Sequence, residues 1–189
     1  MKRILLCLVY LLPVAALAAN QDDLEKLIQS KPAQTLHLDL SNTDLRQYPF
    51  IPGKIDLQQA NMSHSNLSGV NLSQVNLGGT DLSYADLSYA KLNQVNLSGA
   101  NLDHANLTGA EIRQSDLSQA NLGFANLTSA DLQQSTLAKA NFTCANLNAA
   151  NLSRANFSEA NISGATFVNT ITNNILGYSS VADRQINCH

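Results

Sequence analysis

The sequence SGANLDHANLTGA, residues 98–110, decides the fold because a large apolar side chain returns after five residues, at Leu102 and again at Leu107. Residues five apart on an α-helix are rotated by about 140° from one another, so leucines at this spacing spiral around the axis and form no apolar face. On a long β-strand the same spacing sends successive leucines to opposite faces of a sheet. Neither element buries every leucine, and the spacing therefore predicts a chain that bends once in each unit of five.

The unit of five residues continues without a break from residue 55 to residue 169. Its central position occurs 23 times and is leucine in 17 units, while the position two residues earlier is alanine in 15 units. The position between them is asparagine or aspartate in 19 units, and the last two positions are mostly Ser, Gly, Thr or Gln. Because each position follows its own rule, the periodicity indicates a structural repeat.

One short extended segment followed by a bend accounts for every position of the unit. The central residue and the residue two before it share a face of an extended chain, so Leu and Ala point inward together. The Asn, Asp, Ser and Gly residues around them favour turns. Four such segments close a square coil of 20 residues, and successive coils stack through ladder hydrogen bonds about 4.8 Å apart. We therefore expect an all-β solenoid of nearly six coils, each stable only against its neighbours.

The units ANLTS at residues 125–129 and ANLSR at residues 150–154 resemble those of the pentapeptide-repeat family. The resemblance covers 115 residues and implies the fold of that family, a right-handed quadrilateral β-helix. It implies much less about function, because the family hosts many uses. Some members inhibit DNA gyrase by resembling duplex DNA, which requires an acidic surface and a cytosolic location.

The first residues of the chain predict a cleavable secretory signal peptide. Lys2 and Arg3 precede an apolar run, and the run ends in small residues with an A-x-A cleavage pattern at residues 16–18. A membrane anchor is the alternative, but the apolar run is short for a membrane span. We therefore expect a periplasmic or secreted protein that is not inserted in the membrane after cleavage near Ala18.

Sequences at both ends of the repeat predict caps. Leu24, Leu27 and Ile28 share one helical face, and two further units around Leu40 and Leu45 are out of phase with the main array by two residues. The tail after Phe167 no longer follows the repeat rule, and it could also mediate a homodimer. We predict a signal peptide over residues 1–18, an N-terminal cap over 19–36 with a short helix at 21–30, a repeat domain over 37–169 with a loop insertion at 48–54 that absorbs the slip, and a C-terminal tail or cap over 170–189.

The charge of the chain argues against nucleic-acid binding. Residues 1–18 hold two of the eleven basic residues and none of the fourteen acidic ones, so the mature protein is mildly acidic. Residues 54–169 hold eight acidic against five basic residues, which is a weak charge for a mimic of duplex DNA. An inhibitor of DNA gyrase or of another cytosolic target is the alternative function if the signal peptide is not used.

No motif in the sequence predicts catalysis. We find no phosphate-binding glycine loop, no Cys and His set with metal-ligand spacing, and no nucleophile with an identifiable activating partner. We therefore predict no catalytic residue, no metal site and no cofactor. An enzyme built on the edges of the solenoid is a third hypothesis, and it would need a catalytic constellation that the sequence does not show.

Because one coil takes 20 residues, residues 20 apart should be stacked neighbours that form a column along the axis. One of these columns consists mainly of aromatic and histidine side chains. Tyr84 lies between the two histidines of this column, His64 and His104, so a metal or catalytic function for them is disfavoured. Asp103 precedes His104 in sequence, but this adjacency need not bring the two side chains together. The rings either stabilise the ladder, as cross-strand pairs do, or form an exposed stripe that binds an unknown partner protein. The candidate interaction column is His64, Tyr84, His104 and Phe124, with Tyr89 on the adjacent face, and it continues into Cys144 and Gly164.

Three further patterns concern the outer surface. Cys144 and Cys188 are the two cysteines that remain after cleavage, and in an exported protein such a pair is a candidate disulfide that would pin the tail. A column of stacked glutamines predicts an amide ladder along the axis. Alternating charges on a neighbouring column predict a self-neutralising face. The glutamine column is Gln74, Gln94, Gln114, Gln134 and Arg154, and the charged column is Lys91, Glu111 and Asp131 with Arg113 beside Glu111.

Overall fold

The computed structural model describes residues 38–48, 50–51, 55–177 and 188. Within these residues the backbone forms no helix and no strand of several paired residues, and successive coils are joined by isolated parallel β-bridges. From the bridge of Asp56 with Asn76 to that of Asn156 with Leu176, every bridge joins residues 20 positions apart. One bridge on each of four sides confirms the predicted quadrilateral β-helix. The predicted signal peptide (1–18) and N-terminal cap (19–36), with its helix, lie outside the described residues.

All five backbone N–H groups of residues 101–105 are hydrogen-bonded. Three of the groups bond to carbonyls of neighbouring coils, one closes the turn at the corner, and one bonds to the side chain of the unit's own asparagine. Buried backbone donors must be paired, so this complete set explains both the coil and the preference for Asn or Asp. The bonds run from Asn101 to Thr80 O (2.9 Å), Leu102 to Asn121 O (2.7 Å), Asp103 to Asn101 Oδ1 (3.3 Å), His104 to Gly123 O (2.9 Å) and Ala105 to Leu102 O (3.0 Å).

The last residue of each unit forms a corner of the square. Its φ is positive, for example 58° at His104, and it is the third residue of a turn closed by the following N–H group. A type II turn requires this left-handed conformation at its third residue. Val, Ile and Thr are strained there, and none of the 23 units carries one of them at this position. The corner therefore restricts which side chains can stand on the outer edges of the solenoid.

Leucine and alanine side chains fill the inside of the coil as predicted. Leu102 and Ala100 have no exposed surface, and the rings of Phe142 and Phe157 pack with their centroids 5.3 Å apart. The few polar residues at the alanine position are satisfied by main-chain carbonyls: Ser115 Oγ donates to Leu92 O at 2.7 Å. Hydroxyl groups paired in this way can be buried at little cost.

The first coil contains the predicted insertion. Asp39 and Asp44 bridge to Asn61 and Asn66, which are 22 residues away, and this spacing confirms two units that are out of phase by two residues. Phe50, in the insertion, is only 8% exposed and belongs to the apolar core. It packs against the half-buried ring of Tyr48, with centroids 4.6 Å apart, and burial raises the pKa of Tyr48 to about 12. Residues 49 and 52–54 of the insertion lie outside the described residues.

The coil extends beyond the boundary predicted at residue 169. Ile171 bridges to Asn151, and Leu176 bridges to Asn156, so two more sides are formed. Asn169 and Asn174 keep the corners, with φ of 58° and 55°, because asparagine tolerates the left-handed region. The backbone thus continues the ladder after the side-chain rule has failed, as far as the described run extends, to Gly177. Residues 178–187 and 189 of the tail lie outside the described residues.

Candidate interaction surface

The four rings of the predicted column stack along the solenoid axis. Ring centroids are 4.9 Å apart between His64 and Tyr84, 4.7 Å between Tyr84 and His104, and 4.8 Å between His104 and Phe124. The planes of successive rings differ by 5° to 18°. Each ring leaves a corner with the same left-handed backbone, so the coil spacing sets the stacking distance. We call these four residues the ring column.

Stacking hides the faces of the rings and leaves their edges in solvent. Tyr84 is 51% exposed and Phe124 is 49% exposed, although each lies in a column of rings. Aromatic pairs of this kind contribute about 0.5–1.5 kcal/mol each beyond the burial of their surface. The ring column is therefore both a stabilising ladder and an apolar edge on an otherwise polar surface.

His104 is oriented by a contact that the sequence did not predict. Its Nδ1 atom lies 2.9 Å from Oδ2 of Asp103, the residue that precedes it. A carboxylate at Nδ1 favours the proton on that nitrogen, which leaves Nε2 of the neutral ring as an acceptor. His104 thus places an acceptor in the column between the rings of Tyr84 and Phe124.

Tyr89 stands on the adjacent corner of the same coil as Tyr84. It is 68% exposed, and its ring lies over the backbone of Gly109, where an added Cβ atom would be 2.7 Å from Cδ1 of Tyr89. Glycine at the next corner along the axis therefore leaves room for the ring in this position. Together, Tyr89 and the ring column border one side of the solenoid, and we call this surface the ring face.

The side between the two tyrosines is polar and already paired. Asn106 Nδ2 donates to Asp86 Oδ1 at 3.1 Å, and Thr108 Oγ1 donates to Asn106 Oδ1 at 2.7 Å. Asn126 Nδ2 in turn donates to Thr108 Oγ1 at 3.0 Å. These groups form hydrogen bonds among themselves, so the ring edges are the apolar part of the ring face that is free to contact another molecule.

A disulfide between Cys144 and Cys188 ends the ring column on its C-terminal side. The two Cα atoms are 5.6 Å apart, and the bond joins residues separated by 44 positions. Sγ of Cys188 also lies 3.6 Å from the carbonyl oxygen of Gly164, the next corner residue of that column. The tail is thereby tied to the corner at which the predicted ring column stops.

The glutamine column forms the predicted ladder on another corner. Nε2 of Gln74 donates to Oε1 of Gln94 at 3.0 Å, and the same bond recurs in the next two steps. On the neighbouring charged column, Arg113 pairs with Asp131 at 2.7 Å and not with Glu111, which accepts from an asparagine. The hydrogen bond and charge of Asp131 raise the pKa of Arg113.

Two further features of the described residues bear on function. No group of three or more His, Cys, Asp or Glu side chains among them is arranged to hold a metal ion. None of the described segments forms a helix of the length and hydropathy needed to cross a membrane. The described part of the last coil exposes Val168, Ile171 and Leu176, and the homodimer through the C-terminal tail stays a prediction.

Comparisons with known proteins place the repeat in one family. No curated protein matched the chain. Among solved structures, a trypsin-treated form of QnrB1, a plasmid-mediated fluoroquinolone resistance protein, is 20% identical, with 72% of this chain and 67% of that chain covered and a TM-score of 0.48. A pentapeptide-repeat protein from the thylakoid lumen of Arabidopsis thaliana is 34% identical over 52% of this chain and 65% of that one, with a TM-score of 0.35. One from the cyanobacterium Cyanothece 51142 is 28% identical over 57% and 87%, with a TM-score of 0.33.

The family model described as pentapeptide repeats matches eight copies, at residues 54–83, 80–119, 120–158 and 137–171. These matches cover more than half of the chain, and they coincide with the coils in which every bridge joins residues 20 apart. The chain therefore belongs to the pentapeptide-repeat family and has its right-handed quadrilateral β-helix fold.

Proposed function

We propose that this protein is exported and works without catalysis, as a rigid solenoid that binds a partner protein through its ring face. The exposure of Tyr84, Tyr89 and Phe124 carries the proposal. Among the described residues, the other large apolar side chains that are exposed lie in the insertion or in the last coil. Exposed apolar side chains grouped on one side of a protein are typical of a binding surface.

Tyr89 favours recognition over stabilisation as the purpose of the rings. The ring column stabilises the ladder by stacking, but Tyr89 stacks on no other ring among the described residues. Its side chain nevertheless lies against Gly109 and is more exposed than those of Tyr84 and Phe124. A residue that contributes little to the core and presents a large amphipathic ring suits an interface, where tyrosine is enriched.

The dimensions of the ring column define the partner surface. Its three steps give a stripe about 14 Å long, with ring edges outward, and Nε2 of His104 is an acceptor near its middle. A partner that matches it presents an apolar strip of similar length with a hydrogen-bond donor opposite His104. Tyr89 adds a second contact across the paired polar side, so the partner must be broad enough to reach both corners.

Photo-crosslinking tests the proposed interface. A photoreactive phenylalanine analogue is placed at Tyr84, and a matched control is placed at Gln94, which is also a corner residue with a positive φ. In cells of the native host, we expect a distinct protein adduct at position 84 that is absent at position 94. Equal labelling at the two positions would contradict the ring face as an interface.

The exported location rests on the leader sequence and agrees with a cysteine pair that forms a disulfide. The alternative function, inhibition of DNA gyrase or another cytosolic target by DNA mimicry, requires uncleaved protein in the cytosol. Cell fractionation with mass spectrometry of the mature N-terminus distinguishes the two. Export predicts a chain that begins close to Ala18 outside the cytosol, and an intact Met1 in the cytosol would revive the alternative.

A further inference from the structure

The glutamine ladder runs in one direction, and this direction leaves a donor at its end. At each step Nε2 donates to Oε1 of the glutamine 20 residues later, at 3.0, 3.1 and finally 2.8 Å. Oε1 of Gln134 is therefore occupied by Gln114, while Nε2 of Gln134 makes no hydrogen bond within the described part of the chain. Aligned amides polarise one another, which makes the terminal N–H group a better donor.

Arg154 stands where the next glutamine of the ladder would be. A guanidinium has no acceptor, so it cannot continue the chain of amide bonds from Gln134. Among the described residues Arg154 has no carboxylate partner, whereas Arg113 pairs with Asp131 and Lys139 pairs with Glu159. Two donor groups without a protein acceptor among the described residues, one of them fully charged, thus stand at the same corner in successive coils.

These donors line a cleft of about 450 Å³. Every side chain that lines it is polar, and its single formal charge is the positive charge of Arg154. Asp131, the nearest acidic residue of the charged column, is already bound by Arg113 at 2.7 Å. The lining residues are Gln133, Gln134, Ser153, Arg154, Asn173 and Asn174.

We propose that this cleft binds a small, singly charged carboxylate ligand of the sugar-acid class. A carboxylate can accept two parallel bonds from the Arg154 fork and a third from Nε2 of Gln134. One cation balances one carboxylate, whereas a phosphate dianion would keep an unbalanced charge. The hydroxyl of Ser153 and the amides of Asn173 and Asn174 suit the hydroxyl groups of a sugar ring, and among the described residues no apolar or aromatic side chain lines the cleft.

Titration with D-glucuronate, followed by NMR of the side-chain amide of Gln134 and of Nε of Arg154, tests the proposal. We expect saturable shifts at both groups. Three control ligands should each bind at least about tenfold more weakly than D-glucuronate. They are D-glucose, which has the sugar ring but no charge, inorganic phosphate, and N-acetylalanine, which has the carboxylate but no sugar hydroxyls. Equal or tighter binding of glucose would refute charge recognition, tighter phosphate binding would refute the carboxylate, and tighter N-acetylalanine binding would refute the sugar acid.

The substitution Arg154→Gln is the sharpest variant because it extends the ladder by one more glutamine. It removes the charge and gives Nε2 of Gln134 an acceptor, at a corner where glutamine already stands in four preceding coils. We expect at least a tenfold loss of glucuronate affinity, corresponding to one lost charge-assisted bond. Lys139→Gln, which removes the same charge at another corner, is the control and should leave the affinity unchanged. Unchanged binding in Arg154→Gln, or an equal loss in both variants, would overturn the site.

Discussion

Replacing Tyr84 and Tyr89 separately by asparagine isolates the energy of ring stacking. The two residues form successive corners of one coil, with φ of 58° and 57°, and asparagine accepts this left-handed region with little strain. Tyr84→Asn removes a ring that lies between two others, and Tyr89→Asn removes a ring that stacks on none among the described residues. The backbone cost is thus matched, and the difference between the variants reports the ring contacts together with the additional ring surface that Tyr84 buries.

The structure sets the size of that difference. Tyr84 loses two stacked neighbours, His64 at 4.9 Å and His104 at 4.7 Å, which corresponds to about 1–3 kcal/mol. Tyr84 is also less exposed than Tyr89, 51% against 68%, and this difference in buried ring surface adds about 1 kcal/mol. We therefore expect Tyr84→Asn to lower the free energy of unfolding by about 2–4 kcal/mol more than Tyr89→Asn does.

Urea unfolding of the disulfide-bonded protein, followed by far-ultraviolet circular dichroism, measures the difference. Both variants should keep the denaturant slope of the parent protein, so that a change in midpoint reports stability. Equal midpoints for Tyr84→Asn and Tyr89→Asn would refute a stabilising contribution of the stacked rings. In the same pair, loss of the crosslinked partner in Tyr89→Asn without a large loss of stability would attribute recognition to the ring face itself.

Three other properties can be tested on the same material. Gln119→Val places a β-branched residue at a corner with φ of 60° and should destabilise the protein by about 1–3 kcal/mol, whereas Gln119→Asn should be nearly neutral in the same urea assay. Thiol titration of the unfolded mature protein without reductant should find no free thiol, and Cys188→Ser should lower the midpoint by removing a loop closure that contributes about 4 kcal/mol at most. Because burial raises the pKa of Tyr48 to about 12, the unfolded chain loses this proton first, so stability should fall as the pH rises through 10 toward 12. Tyr48→Phe should show a weaker decline over that range, and an identical decline would contradict the assignment.

The repeat made the fold predictable because each position of the unit has one physical task. Leu102 and Ala100 mark the inside, Asn101 satisfies the turn, and His104 occupies a corner that excludes β-branched residues. Once the coil length of 20 residues is inferred, residues 20 apart must be neighbours, and the stacking of Tyr84 on His104 follows. The ring column was thus accessible from the sequence, because the backbone alone sets its spacing.

Contacts chosen by side-chain conformation were less predictable. The bond of His104 to Asp103 depends on rotamers at adjacent positions, and Arg113 pairs with Asp131 in the next coil although Glu111 is closer in sequence. The two extra sides after residue 169 were missed because their central residues no longer follow the leucine rule. Asparagines at 169 and 174, which keep the corner phase, were the signal that could have revealed them.

The square cross-section separates the two proposed sites. The ring column and the glutamine column occupy corners that are two units, or ten residues, apart in each coil, as the positions of His104 and Gln114 show. In a coil of four sides such corners lie diagonally opposite, with the packed core of leucines between them. Tyr89 stands at a corner next to the glutamine column but three coils before Arg154, so the two sites can be occupied together when the partner does not extend along that side to Arg154. Because a close-packed core resists deformation, binding at one corner should leave the affinity at the other unchanged, so a small ligand and a protein partner would be held independently on one scaffold.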